Sequence, residues 1–376
     1  MFVRSSTEKY AQSRMMELIF GAESIDETFR AALIPEIERN RRVFDFISEA
    51  SRKPCFRYGD WTKPYYHIGQ PNAIILIQAV RLLGIDAVFK AESGQVQEAL
   101  GQLRFGMNFV RRLMDEPFLV RSLVALADMK SLLICLRRIS VDHDLDAETM
   151  SAWIEELDVD AWRKEFSRYA RSERIFSLEV GLGLVRGDKA ARRALESASI
   201  KGKRLFYWLV RPVLKSEIVW TQNRFFEVEQ QAEIPFYGVK EVEREPARKK
   251  EPLPWYFKTI GALLANFEAT HLKEAAFEAL MLTTKAGLAC EIYKDENGRY
   301  PGSLEALVPE ILDEVPLDPF TGKPLTYRAD DSELIIYSFG SNGRDDGGRT
   351  TYAINQLVAE KDDDWTWRKK IDPKAD

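Results

Sequence analysis

The chain is sparing in the residues that most often carry chemistry: three histidines and three cysteines among 376 residues. Cys55, Cys135 and Cys290 stand far apart and form no CxxC pair, so neither a zinc knuckle nor a disulfide framework is indicated, although one bridge between two of them stays open. Cys135, inside Leu132-Leu133-Ile134-Cys135-Leu136, reads as a small core residue. Long apolar runs are missing too. The most apolar stretch, Ala73 to Phe89, contains Gln78, Arg81 and Asp86 and is too short and polar to cross ~30 Å of hydrocarbon. Met1 to Glu8 has no apolar core of a signal peptide. Neither sign of charge dominates. The net charge is −5, and the 30% of charged residues are finely mixed, which argues against disorder and against a nucleic-acid partner. The densest basic run, Arg248-Lys249-Lys250, sits among Glu243, Glu245 and Glu251. No Gly-x-Ser-x-Gly, phosphate loop or His-Glu-x-x-His occurs.

What the chain has is helical periodicity and, with 45% hydrophobic residues, enough apolar side chain for a sizeable core. Apolar residues at three- and four-residue spacing predict helices over 8–20, 25–50, 72–92, 96–114, 116–139 (capped by Asp115, with Pro117 in its first turn), 147–157, 159–185, 188–209 and 212–231. Short connections between them imply antiparallel hairpins in a bundle or solenoid-like stack. Residues 235–254, with four prolines among alternating Lys and Glu, read as a linker. One long helix is expected over 256–294. Its stripe runs through Ile260, Leu264, Phe267, Phe277, Met281, Leu288 and Ile292. Beyond Asn297-Gly298, five prolines exclude long helices. There 325–328 and 333–338 read as a β-hairpin turning at Asp330-Asp331 and lying on that helix. The fold class is therefore mainly α: a multi-helical domain (1–234), a linker (235–254) and a small α+β domain (255–376).

The last segment carries the most specific pattern. Tyr300-Pro301 is followed by Leu304 and Leu307, then by Asp318-Pro319-Phe320-Thr321-Gly322-Lys323-Pro324-Leu325-Thr326-Tyr327. Tyr337-Ser338-Phe339-Gly340-Ser341-Asn342-Gly343 closes the series. Residues 256–348 resemble the globular C-terminal domain of the major pseudopilin of type II secretion systems. The helical part more weakly resembles poorly characterised bacterial proteins that carry such a tail. Pseudopilins place an apolar helix at their extreme N-terminus. Here about 250 residues come first, and the matching helix carries Glu268, Lys273, Glu274, Glu278 and Lys285, so pilus assembly is not expected.

The resemblance implies a calcium loop. Its matching ligands are Asn342, Asp345 and Asp346, with Asp362, Asp363 and Asp364 as the later acidic residues, although Arg349 to Glu360 intervene where the family continues at once. Calcium takes six to eight hard oxygen ligands at flexible geometry, and the spacing is not that of an EF-hand. The plain alternative is a solvated turn. Glu268 and His271 share a helix face, but no second Glu-x-x-His exists, so both are expected at the surface. Gly181-Leu182-Gly183-Leu184-Val185-Arg186-Gly187 lacks a preceding strand, so it is read as a flexible helix break rather than a nucleotide loop. Phe56, Tyr58, Trp61, Tyr65 and Tyr66, beside His67, form the aromatic loop most suited to recognising a protein, or else a cap on the helical core.

These readings add up to a non-enzymatic, envelope-associated docking protein, linked to a type II secretion or pilus-like system and placed on the extracytoplasmic face. It would bind an unknown protein partner, and no cofactor other than calcium is expected. Membrane contact would come only through an N-terminal anchor ahead of Met1. The alternatives are a cytoplasmic helical scaffold unrelated to secretion, and a hydrolase whose site lies in the helical domain.

Overall fold

The computed structural model describes residues 27–55, 60, 62–68, 73–115, 119–197, 211–239, 265–349 and 364–371. Nine α-helices run through these residues: α1 (Glu27–Ser51), α2 (Ala73–Glu92), α3 (Val96–Leu113), α4 (Leu119–Asp142), α5 (Ala147–Glu156), α6 (Val159–Arg186), α7 (Lys189–Ser197), α8 (Arg211–Gln231) and α9 (Ala265–Asn297). Three strands follow α9: β1 (Thr326–Ala329), β2 (Glu333–Ser338) and β3 (Trp365–Lys370). The mainly helical fold with a small α+β part is as the sequence predicts. The expected helix over 8–20, the start of the long helix and most of the 188–209 helix lie outside the described residues.

Local chemistry sets the helix ends. Gly94 takes φ +83° after α2, a conformation that other residues resist, and turns the chain directly into α3. The Oδ1 of Asp146 accepts the N–H of Thr149 at 2.7 Å and caps α5; Asp158 caps α6 through the N–H of Ala161 at 2.9 Å. α3 buries Leu100, Leu103, Met107, Val110 and Leu113, the stripe its sequence spacing implies. Asp86, buried on α2, ties three helices together: it accepts from Gln102 of α3 at 2.9 Å and from Arg41 of α1 at 3.0 Å. Cys135 is buried against α2, and burial pushes its thiol up to about 12.

The glycine-rich stretch is not a break. α6 continues through Gly181 and Gly183 and ends at Gly187 in the left-handed conformation, with the N–H of Asp188 donating to the carbonyl of Gly183. Gly183 is needed for contact: a Cβ there would stand 2.6 Å from that of Ala191 on α7 and 3.0 Å from the hydroxyl of Tyr66.

α9 belongs to both halves of the molecule. It packs on α4, α5 and α6 along one side and on β2 and β3 along the other, so that one continuous apolar cluster runs from Leu33 to Trp367. The sheet is antiparallel in the order β1-β2-β3, with Tyr327 opposite Ile336 and Ile336 opposite Trp367. The hairpin turn is held by Asp330, whose Oδ1 accepts the N–H groups of Ser332 and Glu333 at 2.8 and 3.0 Å. β3 was not foreseen. Its Trp367 is fully buried over Gly287 of α9, while Lys130 and Arg137 of α4 lie over the rings of Trp365 and Trp367.

The first residues of the expected linker are docked. Phe236 meets the ring of Phe320, and the N–H of Tyr237 donates to the carbonyl of Pro319 at 3.0 Å. Residues 240–254 lie outside the described residues.

Candidate functional site

Asp318, next to the docked Tyr237, explains the Asp-Pro-x-x-Gly pattern. Its carboxylate is 2% exposed and accepts four hydrogen bonds: from the N–H of Phe320 (2.9 Å), the hydroxyl of Thr321 (3.1 Å), the hydroxyl of Ser338 (2.8 Å) and the N–H of Phe339 (3.1 Å). One carboxylate thereby closes its own turn and anchors the end of β2, from which the acidic loop departs.

That loop is turned by glycines at positive φ: Gly340, Gly343, Gly347 and Gly348. Gly348 has no space for a side chain, since a Cβ would stand 2.4 Å from Cδ1 of Ile335. Four of the six expected calcium ligands fall together here. The Nδ2 of Asn342 donates to Asp346 at 2.8 Å. Asp345 accepts from the hydroxyl of Tyr337 at 3.0 Å and the N–H of Gly347 at 2.9 Å. Asp364, at the mouth of β3, is buried and accepts from the N–H groups of Gly348 (2.7 Å) and Asp346 (3.2 Å). Burial, and then the charges of Asp346 and Asp345, push the Asp364 carboxyl up to about 6. Asp362 and Asp363 lie outside the described residues.

The donors suit calcium in kind, being hard oxygens on a loop with backbone carbonyls close by. Their present arrangement is a loop closed on its own hydrogen bonds. Among the described residues, no three carboxylates, histidines or cysteines are grouped to hold a metal ion.

Of the aromatic loop, Phe56, Tyr58 and Trp61 lie outside the described residues, as does the side chain of Tyr65. Tyr65 to His67 form a short 3-10 turn. Tyr66 is half-buried in a small cluster with Val180, Leu184 and Leu214, and its hydroxyl donates to Asp188 at 3.1 Å. This tyrosine ties the loop to the α6–α7 corner.

The expected surface position of His271 is corrected. The ring is half-buried between Phe166 of α6, stacked at 5.6 Å, and the edge of Phe236 at 5.4 Å. One turn further along α9 stands an acid pair that was not foreseen. Glu274 accepts from the indole N–H of Trp162, and Glu278 is paired with the guanidinium of Arg163. Burial raises both carboxyls, that of Glu274 to about 8. The signal was present in the sequence: Glu274 and Glu278 share the helix face of Phe277 and Met281, positions that point to a core. The cavity beside them is about 20 Å³, room for roughly one water.

Among the described residues no helix is long and apolar enough to cross a membrane. Compared with protein families, curated proteins and solved structures, the chain finds no match.

Proposed function

We propose that this chain is a non-enzymatic docking protein of the cell envelope, linked to a type II secretion or pilus-like system, whose acidic loop takes calcium. The observation that carries the reading is the single loop between β2 and β3 that holds Asn342, Asp345, Asp346 and Asp364 at positions the pseudopilin resemblance implies, with Asn342 bonded to Asp346 and the N–H of Asp346 to Asp364. Asp364 and Asp345 would supply carboxylate oxygens, with Asp346 and the amide oxygen of Asn342 beside them. Bound calcium would replace the internal donors these carboxylates now use and fasten the start of β3 to the end of β2.

Docking of a protein partner through the helical part is supported by α8. Val219 and Phe226 stand seven residues apart on that helix and are 62% and 52% exposed, two apolar anchors of the kind a partner helix would cover. The hydrolase reading has less behind it. Its best acid pair, Glu274 and Glu278, is engaged by Trp162 and Arg163 beside a cavity far below substrate size.

The test is thermal unfolding of the whole chain in calcium and in chelator. A ligand held only by the folded state stabilises it by ~2.7 kcal/mol at a hundredfold excess over its dissociation constant. The expected result is a calcium-dependent rise in Tm that Asp345→Asn and Asp346→Asn each abolish. An unchanged Tm would leave the loop a plain turn and favour the helical-scaffold reading.

A further inference from the structure

Trp162, whose indole N–H is held by Glu274, also walls a larger cavity, of about 380 Å³, framed by α3, α4, α6 and α9. This volume falls in the ~300–1,000 Å³ range of small-ligand sites. Its apolar lining includes Met107, Met114, Met129 and Met281, with Leu133, Leu157, Trp162 and Phe277 beside them. Four of the chain's eight methionines therefore meet in one place. Unbranched thioethers re-pack around apolar bodies of differing shape, and methionine-rich walls are a feature of adaptable binding surfaces.

The polar rim decides the sign of the ligand. Carboxylates outnumber guanidinium groups there, four to two, but the carboxylates are already engaged. Glu156 is paired through Oε1 with Arg104 at 2.6 Å, its Oε2 having no partner but no accessible surface to offer a ligand, and Glu165 is paired with Arg168 at 3.1 Å. Asp158 is the N-cap of α6, and Asp115 is engaged as well. Arg111 donates to the carbonyl of Glu156 at 2.9 Å and to Asn108 at 3.0 Å. Arg112, half-exposed at the mouth, has no hydrogen-bond or ion-pair partner for its guanidinium among the described residues. The open capacity of the rim is thus a planar cation with a fork of donors, which matches a carboxylate.

We propose that this cavity binds a small amphipathic acid, with its apolar body against the four methionines and its carboxylate on Arg112. This proposal stands apart from the calcium loop and does not depend on it. The test uses the whole chain carrying methyl-labelled methionine, followed by NMR during titration with decanoate, decanol and decylamine. Decanoate is expected to shift the methyls of Met107, Met114, Met129 and Met281 and to leave Met150, outside the cavity, unmoved. Arg112→Ala should weaken decanoate by about tenfold or more, with decanol unaffected. Ala161→Trp, at an exposed position on the rim, should block both. Three results would overturn the proposal: no shifts at the four methyls, equal affinity for decanol and decanoate, or a preference for decylamine.

Discussion

Asp128 lies midway along α4 with no exposed surface, and neither oxygen of its carboxylate has a hydrogen-bond partner. Burial pushes this carboxyl well above the usual range; the nearby guanidinium of Arg81 on α2 opposes the shift by attraction without contributing a hydrogen bond. The folded chain therefore keeps a proton that the unfolded chain releases near the ordinary aspartate value of ~3.9. The sign follows. Stability is fully present below that value and falls as pH rises towards the folded-state value, by ~1.4 kcal/mol per pH unit while the two states differ by one proton. Asp128→Asn preserves the shape and removes the titration. Its stability relative to the wild type should therefore climb by up to ~1.4 kcal/mol for each pH unit above ~4, levelling off at the raised folded-state value. Lys130, two residues on, is shifted down to about 7 by burial and is common to both proteins, so to first order it cancels in the difference. The assay is urea unfolding followed by circular dichroism at several pH values, comparing midpoints at a shared m-value. A stability difference that stays flat or falls as pH rises would refute the argument. It would mean that Asp128 is ionised and held by Arg81, because breaking a buried pair leaves an uncompensated charge.

Two further substitutions probe how the sheet is fastened. Gly287→Ala should gain up to ~1 kcal/mol in helix propensity and lose ~1–3 kcal/mol or more by overpacking, because the new Cβ would stand 2.3 Å from the indole of Trp367. The loss should win, since Arg137 lies over that ring; a Tm equal to or above the wild type would show that β3 can lift off α9 freely. Asp318→Ala should destabilise by ~3 kcal/mol or more, because it orphans the N–H groups of Phe320 and Phe339 and the hydroxyl of Ser338, each left without its acceptor. Faster hydrogen exchange at Phe339 than at a buried amide of α3 would mark the end of β2 as the part released; equal protection would argue against it.

The helices were legible because each buries one face against a neighbour, so the spacing of Leu100, Leu103, Met107 and Val110 encodes both the helix and its orientation. What was not legible depends on partners distant in sequence. Trp365, Thr366 and Trp367 are buried in succession because α4 and α9 cover the two indoles while the hydroxyl of Thr366 donates to the carbonyl of Gly348, which erases the alternation by which an edge strand is recognised. Glu274 and Glu278 share the helix face of Phe277 and Met281, which marks them as near the core, but their partners Trp162 and Arg163 lie more than 100 residues earlier and no local pattern names them. The four residues Asn342, Asp345, Asp346 and Asp364 were readable as candidates for one loop, but the burial of Asp364 was not, because it depends on where β3 docks. The same strand joins that loop to the helical core. Asp364 immediately precedes it, Trp365 sits under Lys130, and the carbonyl of Thr366 accepts from Arg137. A cation that fastens Asp364 would therefore brace α4 as well as the sheet. Calcium stabilisation should accordingly appear in the unfolding of the whole chain, helices included, rather than in a separate transition of the C-terminal part.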